Sequence, residues 1–191
     1  MASDITHVLF DLDGTLINTP EILVDILRDY AKSHGKVLSK EIEFEVPNLT
    51  NVQNLFKKLL SSLNLILNET ELKQLYHDIA KRLISTKVTL IPGVERLVKH
   101  LHRHGIHMAI ATANKGRALM DSRLKMKPFL DDGLYFSHSV AGYDDPEVMF
   151  NKPDPQVYHI CVKRFTTPPK SNANVLVVED SLIGITGAVA S

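Results

Sequence analysis

The sequence predicts an α/β fold: a parallel sheet with right-handed helical crossovers, interrupted after its first strand by an inserted helical module. Three observations predict it. Short apolar runs stop abruptly at polar residues, as buried strands of a parallel sheet do. Helical periodicity lies between those runs. One long stretch near the N-terminus has helical periodicity and no strand signal.

Val8-Leu9-Phe10 stops at Asp11 and reads as the first strand. The next stretch is helical throughout. Ile22, Leu23, Ile26, Leu27 and Tyr30 recur at helical spacing, as do Val52, Leu55, Phe56, Leu59, Leu60 and Leu63. So do Leu72, Leu75, Tyr76, Ile79, Leu83 and Ile84, after the capping signal Asn68-x-x-Glu71. Leu90-Ile91-Pro92-Gly93 marks the return to the sheet. Val94, Leu97, Val98 and Leu101 form a helix that Gly105 stops. Met108 to Ala111, ending at Thr112, is the second strand, and Leu134-Tyr135-Phe136 a weaker third. Asp154 as N-cap and Pro155 open a helix with Val157, Cys161 and Phe165 on its apolar face. Val175 to Val178, ending at Glu179-Asp180, is the fourth strand. The expected organisation is an α/β core of residues 1–17 and 92–191 around a helical module of residues 18–91.

Composition narrows the function classes. Lys+Arg and Asp+Glu are both 22, so no basic excess favours a nucleic acid or a membrane surface. The single cysteine, Cys161, excludes an internal disulfide framework and fits a reducing, cytoplasmic setting. The N-terminus has no basic segment before an apolar core, and Leu182–Ala190 is too short to span a bilayer.

The chemistry gathers at strand ends. Asp11 and Asp13 lie two apart on an extended segment and point the same way, just past a strand's carboxyl end. Such oxygen-rich clusters suit Mg²⁺, although an Asp-rich turn also simply solvates a strand end. Thr112-Ala113-Asn114 offers a hydroxyl and backbone amides as an anion seat, or a plain N-cap. Lys152, flanked by Asn151 and Pro153-Asp154-Pro155, is a charge on a stiff loop, or an ordinary surface lysine. Glu179 and Asp180 follow an all-apolar strand, where adjacent acids are costly to bury without a cation. A solvated helix N-terminus also favours acids. All four features occur in order, each at a strand end or in the loop beyond it, and that context favours a site.

With Asp-Leu-Asp-Gly-Thr at 11–15, Thr112, Lys152 and Glu179-Asp180 in place, the chain resembles the haloacid dehalogenase superfamily of phosphohydrolases. It is most similar to the pseudouridine-5′-phosphatase-like branch. That likeness rests on Leu90 to Glu95, His104-Gly105-Ile106, Gly142 to Val148 followed by Lys152 to Pro155, and Lys163-Arg164-Phe165. The resemblance implies a Rossmann-like core with a helical cap. It implies Asp11 as nucleophile, forming an aspartyl-phosphate, and Asp13 as general acid/base. It implies Mg²⁺ held by Asp11, the Asp13 backbone carbonyl and Asp180, with Glu179 supporting or ligating. Thr112, Ala113 and Asn114 would hold the phosphoryl oxygens, and Lys152 would stabilise nucleophile and phosphoryl group. The implied substrate is a small phosphorylated metabolite, with pseudouridine 5′-phosphate foremost. Another sugar- or polyol-phosphate phosphatase and a β-phosphoglucomutase-like mutase are the alternatives. The expected state is a cytoplasmic monomer without nucleic-acid or membrane partners.

Three departures stand out. Asn18 and Pro20 replace the Asp and Glu of many relatives, and the stretch after Thr112 lacks their serine pair. The chain also stops inside the helix after Glu179-Asp180, so the expectation is a shortened form lacking the last core strand and helix. Impaired stability, or an inactive product, would follow from an exposed sheet edge. His100, His102, His104 and His107 read as a helix end and strand start rather than a zinc site, and Cys161 as packing.

Overall fold

The computed structural model of the chain describes residues 4–47, 52–113, 128–130 and 133–191. Within them, strands β1 (His7–Phe10), β2 (His107–Thr112), β3 (Ser139–Ala141) and β4 (Val175–Val178) form one parallel sheet in the order β3-β2-β1-β4. Phe10 pairs with Ile110 and with Val178, so Asp11 and Glu179, one residue further on, leave neighbouring strands at the same level. Thr112 pairs with Ala141 at the end of β3. Parallel strands place all their carboxyl ends on one edge, and that edge collects the sequence motifs.

All four residues of β1 are buried, as a strand flanked on both sides must be. Leu9, Ala109, Ala111 and Val140 pack against Val157, Tyr158, Ile160 and Cys161 of a helix over Gln156–Lys163 and against Phe165. The third strand is not where the sequence places it. Gly133 to Tyr135 is a turn, and only Phe136 is buried there, edge-on to Phe10. Phe136 is a core plug; the pairing begins at Ser139, opposite Ile110. Ser139-Val140-Ala141 is only three residues, of which Val140 alone favours a strand, so it carries little strand signal of its own. Sheet pairing overrides that local weakness. β4 is an edge strand, and its Leu176 is 47% exposed.

The chain divides into two compact units, Met1–Ile17 with Leu90–Ser191 and Asn18–Thr89. Leu90 bridges Ile17, and Ile91 N–H donates to Leu16 O at 3.0 Å, so both residues go with the sheet unit. Asn18 closes the other unit on itself: its N–H donates to Thr89 O and its Oδ1 accepts from Thr89 N–H at 2.8 Å.

That second unit holds helices α1 (Thr19–Ser33), α2 (Lys40–Glu45), α3 (Val52–Ser62) and α4 (Glu69–Ser85). α2, less than two turns capped by Ser39 around buried Ile42, carries too little periodicity to be read from sequence. α4 begins with the full reciprocal box: Asn68 Oδ1 accepts from Glu71 N–H, and Glu71 returns an acceptor to Asn68 N–H. In the sheet unit, α5 (Val94–Arg103) starts after Gly93 at φ +92 and is followed by Gly105 at φ +70, both conformations that a side chain disfavours. α6 (Gln156–Lys163) starts one residue later than expected, with Pro155 as N-cap and Asp154 Oδ1 accepting from Gln156 N–H at 2.9 Å. α7 (Leu182–Val189) follows Glu179-Asp180 and is capped by Ser181. No described helix is long and apolar enough to cross a membrane.

Replacing Asn68 by Ala removes half of the α4 box. Urea denaturation should report a loss of about 1 kcal/mol with unchanged slope.

Candidate active site

Three neighbouring strands converge on Lys152. Its ammonium donates to Asp11 Oδ1 at 2.8 Å, to Ala111 O at 2.8 Å and to Glu179 Oε1. The Lys152 side chain is 1% exposed, so these contacts lie away from water. Burial works against its charge, but Asp11 and then Glu179 outweigh it and hold the ammonium above its usual range.

The loop that delivers this lysine is anchored along its length. Asp145 N–H donates to Ala141 O, and Arg164 grips the Asp145 carboxylate with both terminal nitrogens, at 2.5 and 2.7 Å. Gln156 Oε1 accepts from Met149 and Phe150 N–H. Asn151 then bridges three segments. Its Oδ1 accepts from Lys152 N–H, its Nδ2 donates to Ala113 O at 3.1 Å, and its side chain sits where a β-carbon on Gly142 would be. Asn151 therefore ties the end of β2 to the lysine loop. The Lys152-Pro153 peptide is cis.

Asp11 is buried. Burial pushes its carboxyl up, Lys152 pulls it down, and Glu179 and Asp13 push it up again; the result lies well above the usual carboxylate range. The carboxylates of Asp11, Glu179 and Asp180 have oxygens within 4.8 Å of one another. Partial burial and then Glu179 push Asp180 up as well. Two of these acids face the one lysine and Asp180 lies beside them, so ionising all three leaves an excess of negative charge that a divalent cation would neutralise. The all-oxygen donor set suits Mg²⁺. Asp13 is half-buried, and its carboxylate is not one of these three.

Glu179 is already committed. Oε1 accepts from Lys152 and lies 2.9 Å from the Tyr158 hydroxyl, which is also 3.0 Å from Gly184 O; Oε2 accepts from Ser181 Oγ at 2.9 Å and Ser181 N–H at 3.2 Å. Its oxygens serve protein donors. Two glycines clear space for the acids. A β-carbon on Gly184 would collide with the Glu179 carboxylate, and one on Gly14, at φ +94, with that of Asp180.

The structure thus brings together Asp11, Lys152, Glu179 and Asp180. Thr112 is buried at the end of β2 and accepts Gly142 N–H at its carbonyl; Ala113 follows, bonded to Asn151. Asn114 lies outside the described residues. Sequence reasoning missed the roles of Asn151, Tyr158, Ser181, Gly142 and Gly184. Two carried a signal: a tyrosine on an apolar helix face needs a partner for its hydroxyl, and a glycine inside a short apolar helix lowers propensity without local reward. The histidines lie elsewhere. His100 on α5 and His104 at its C-cap lie ring to ring in a tilted pair, and His107 stacks on His7. Cys161 is buried and donates to Ile110 O.

A family model described as haloacid dehalogenase-like hydrolase matches residues 8–191. A Drosophila melanogaster protein named "Probable pseudouridine-5'-phosphatase" is 29% identical over 184 residues, covering 96% of this chain and 77% of that protein. A Thermotoga maritima phosphorylated carbohydrates phosphatase is 28% identical over 181 residues, covering 95% of this chain and 79% of that protein. The crystal structure of a candidate β-phosphoglucomutase from Thermotoga maritima superposes with a TM-score of 0.71 at 26% identity, covering 97% of this chain and 81% of that one.

Replacing Lys152 by Met strands two acids without their cation. Chemical denaturation should show a loss of about 3–5 kcal/mol. Gly184→Ala should displace Glu179 and lower turnover while the chain still melts cooperatively, as activity assays beside calorimetry would show.

Proposed function

The chain belongs to the haloacid dehalogenase-like hydrolase family and is an enzyme of its phosphatase kind; we propose that it hydrolyses a small phosphomonoester through a phosphorylated Asp11. The observation that carries the proposal is the buried Asp11–Lys152 pair at the carboxyl end of β1, beside Glu179 and Asp180. A carboxylate there is shielded from water, held in one orientation and adjacent to a fixed positive charge.

In the proposed reaction Asp11 attacks phosphorus and the bond to the leaving oxygen breaks. Asp13 gives that oxygen a proton. Water then attacks the aspartyl-phosphate, Asp13 takes the water's proton, and the phosphorus–Asp11 bond breaks to release phosphate. Lys152 neutralises charge on Asp11 and the phosphoryl oxygens throughout. The Thr112 hydroxyl and the backbone after it, Ala113 and Asn114, are the proposed phosphate seat. Bound Mg²⁺ supplies charge neutralisation between nucleophile and phosphate. Asp11, Asp180 and the Asp13 carbonyl would hold it, with Glu179 supporting from the lysine side. The helical unit Asn18–Thr89 takes the role of a cap that sets specificity.

Pseudouridine 5′-phosphate is the proposed substrate. The name of the Drosophila relative supports it, as does the motif run from Gly142 to Pro155. Sugar phosphates are the next class, supported by the name of the Thermotoga relative. A mutase reading is favoured only by the superposed structure, and it would require a bisphosphate activator with little net phosphate release.

The test is phosphate release from an aryl phosphate and then from a panel led by pseudouridine 5′-phosphate. Release should require Mg²⁺, stop with chelator and fall at least about a thousandfold in Asp11→Asn. Equal activity in Asp11→Asn, or none from any phosphomonoester, overturns the proposal.

A further inference from the structure

Turnover asks Lys152 for a hydrogen it does not have spare. An ammonium carries three N–H donors. All are in use: on Asp11 Oδ1, on Ala111 O and on Glu179 Oε1. Turning one onto a phosphoryl oxygen means leaving a partner. The Ala111 carbonyl is fixed inside β2, and Asp11 must stay oriented while it attacks. Glu179 is the partner to be released. Its side chain is 2% exposed, and a buried carboxylate stripped of a donor is expensive.

Tyr158 sits at that oxygen. Its hydroxyl lies 2.9 Å from Glu179 Oε1 and 3.0 Å from Gly184 O. A hydroxyl has a single proton, so it serves one of these acceptors fully at a time. We propose that Tyr158 is a positioning residue whose hydroxyl proton turns from Gly184 to Glu179 as Lys152 leaves Glu179 for the phosphoryl group. The proposal rests on the phosphatase reading above.

The surroundings suit this exchange. Ser181 holds Oε2 through two donors, so only Oε1 needs a replacement. The Tyr158 ring is fully buried on α6, with the Lys152 ammonium 5.1 Å from its centroid, so the ring stays put while the O–H rotates. No heavy atom of Tyr158 need move. Both Tyr158 acceptors lie within hydrogen-bond distance already.

Tyr158→Phe keeps the ring and removes only the hydroxyl. With Mg²⁺ present, kcat for phosphate release should fall about ten- to a hundredfold while KM stays within about twofold. Orthovanadate affinity, measured by calorimetry on the whole chain, should fall in parallel with kcat/KM. Adding Tyr158→Phe to Glu179→Gln should change little, because the charge that needs the proton is gone. In the chain labelled with 3-fluorotyrosine, the Tyr158 fluorine resonance should shift when vanadate binds. That readout needs no substituted protein that might fold poorly.

Wild-type kcat and vanadate affinity in Tyr158→Phe overturn the proposal. So does an equal loss in the Glu179→Gln background, a rise in KM alone, or a resonance that vanadate leaves unmoved. A wild-type chain that neither releases phosphate nor binds vanadate fails before any substitution is made. It overturns the phosphatase reading, and this inference with it.

Discussion

The site is organised around one buried ammonium. Lys152 reaches Asp11 just past β1, the Ala111 carbonyl on β2 and Glu179 just past β4, so a single side chain joins three neighbouring strands. A lysine so far from water is stable only because two acids face it. Those acids in turn are tolerable only because the lysine is there. The mutual dependence explains the anchoring upstream, where Arg164, Gln156 and Asn151 fix the loop that carries it. A charge that must be shared among three partners has to arrive in one place.

The same constraint explains where side chains are missing. Gly14, Gly142 and Gly184 stand where a β-carbon would displace Asp180, Asn151 and Glu179 in turn. Only Gly14 among them also has a backbone angle that favours glycine. At the other two positions the reason is space. The polar groups that fill that space are mutually satisfied: Ser181 caps α7 and holds Glu179 with the same hydroxyl. Still, three acids stand beside one lysine, a donor set that could hold a divalent cation.

Much of this was legible in the chain. Val8 to Phe10, Met108 to Thr112 and Val175 to Val178 are apolar enough to declare themselves, and the polar residues that end them mark the edge where the candidate site gathers. The Asn68–Glu71 signal became the observed cap of α4. Failures fell where local signal and tertiary demand part. Leu134 to Phe136 looks like a strand but supplies one buried ring, while Ser139 to Ala141 looks like a loop and pairs because β2 offers it a partner. α2 is too short to show a period, and α6 begins at Gln156 because Asp154 works as a side-chain acceptor ahead of Pro155.

The sequence by itself determined the fold class, the order of strand ends and the residue types gathered on their edge. Those follow from local periodicity and from motifs that parallel topology must deliver to one side. It marked Asp11, Lys152, Glu179 and Asp180 as candidates, and the fold brings them together. Only the tertiary structure decided how they divide the work. Glu179 faces the lysine, with its oxygens held by Lys152 and Ser181 and the Tyr158 hydroxyl within reach. Tyr158 turns its hydroxyl into the site from an otherwise apolar helix face, and glycines yield the volume that the acids occupy. Hydrogen-bond partners and close approach depend on residues far apart in the chain, and no local pattern encodes the distance between them.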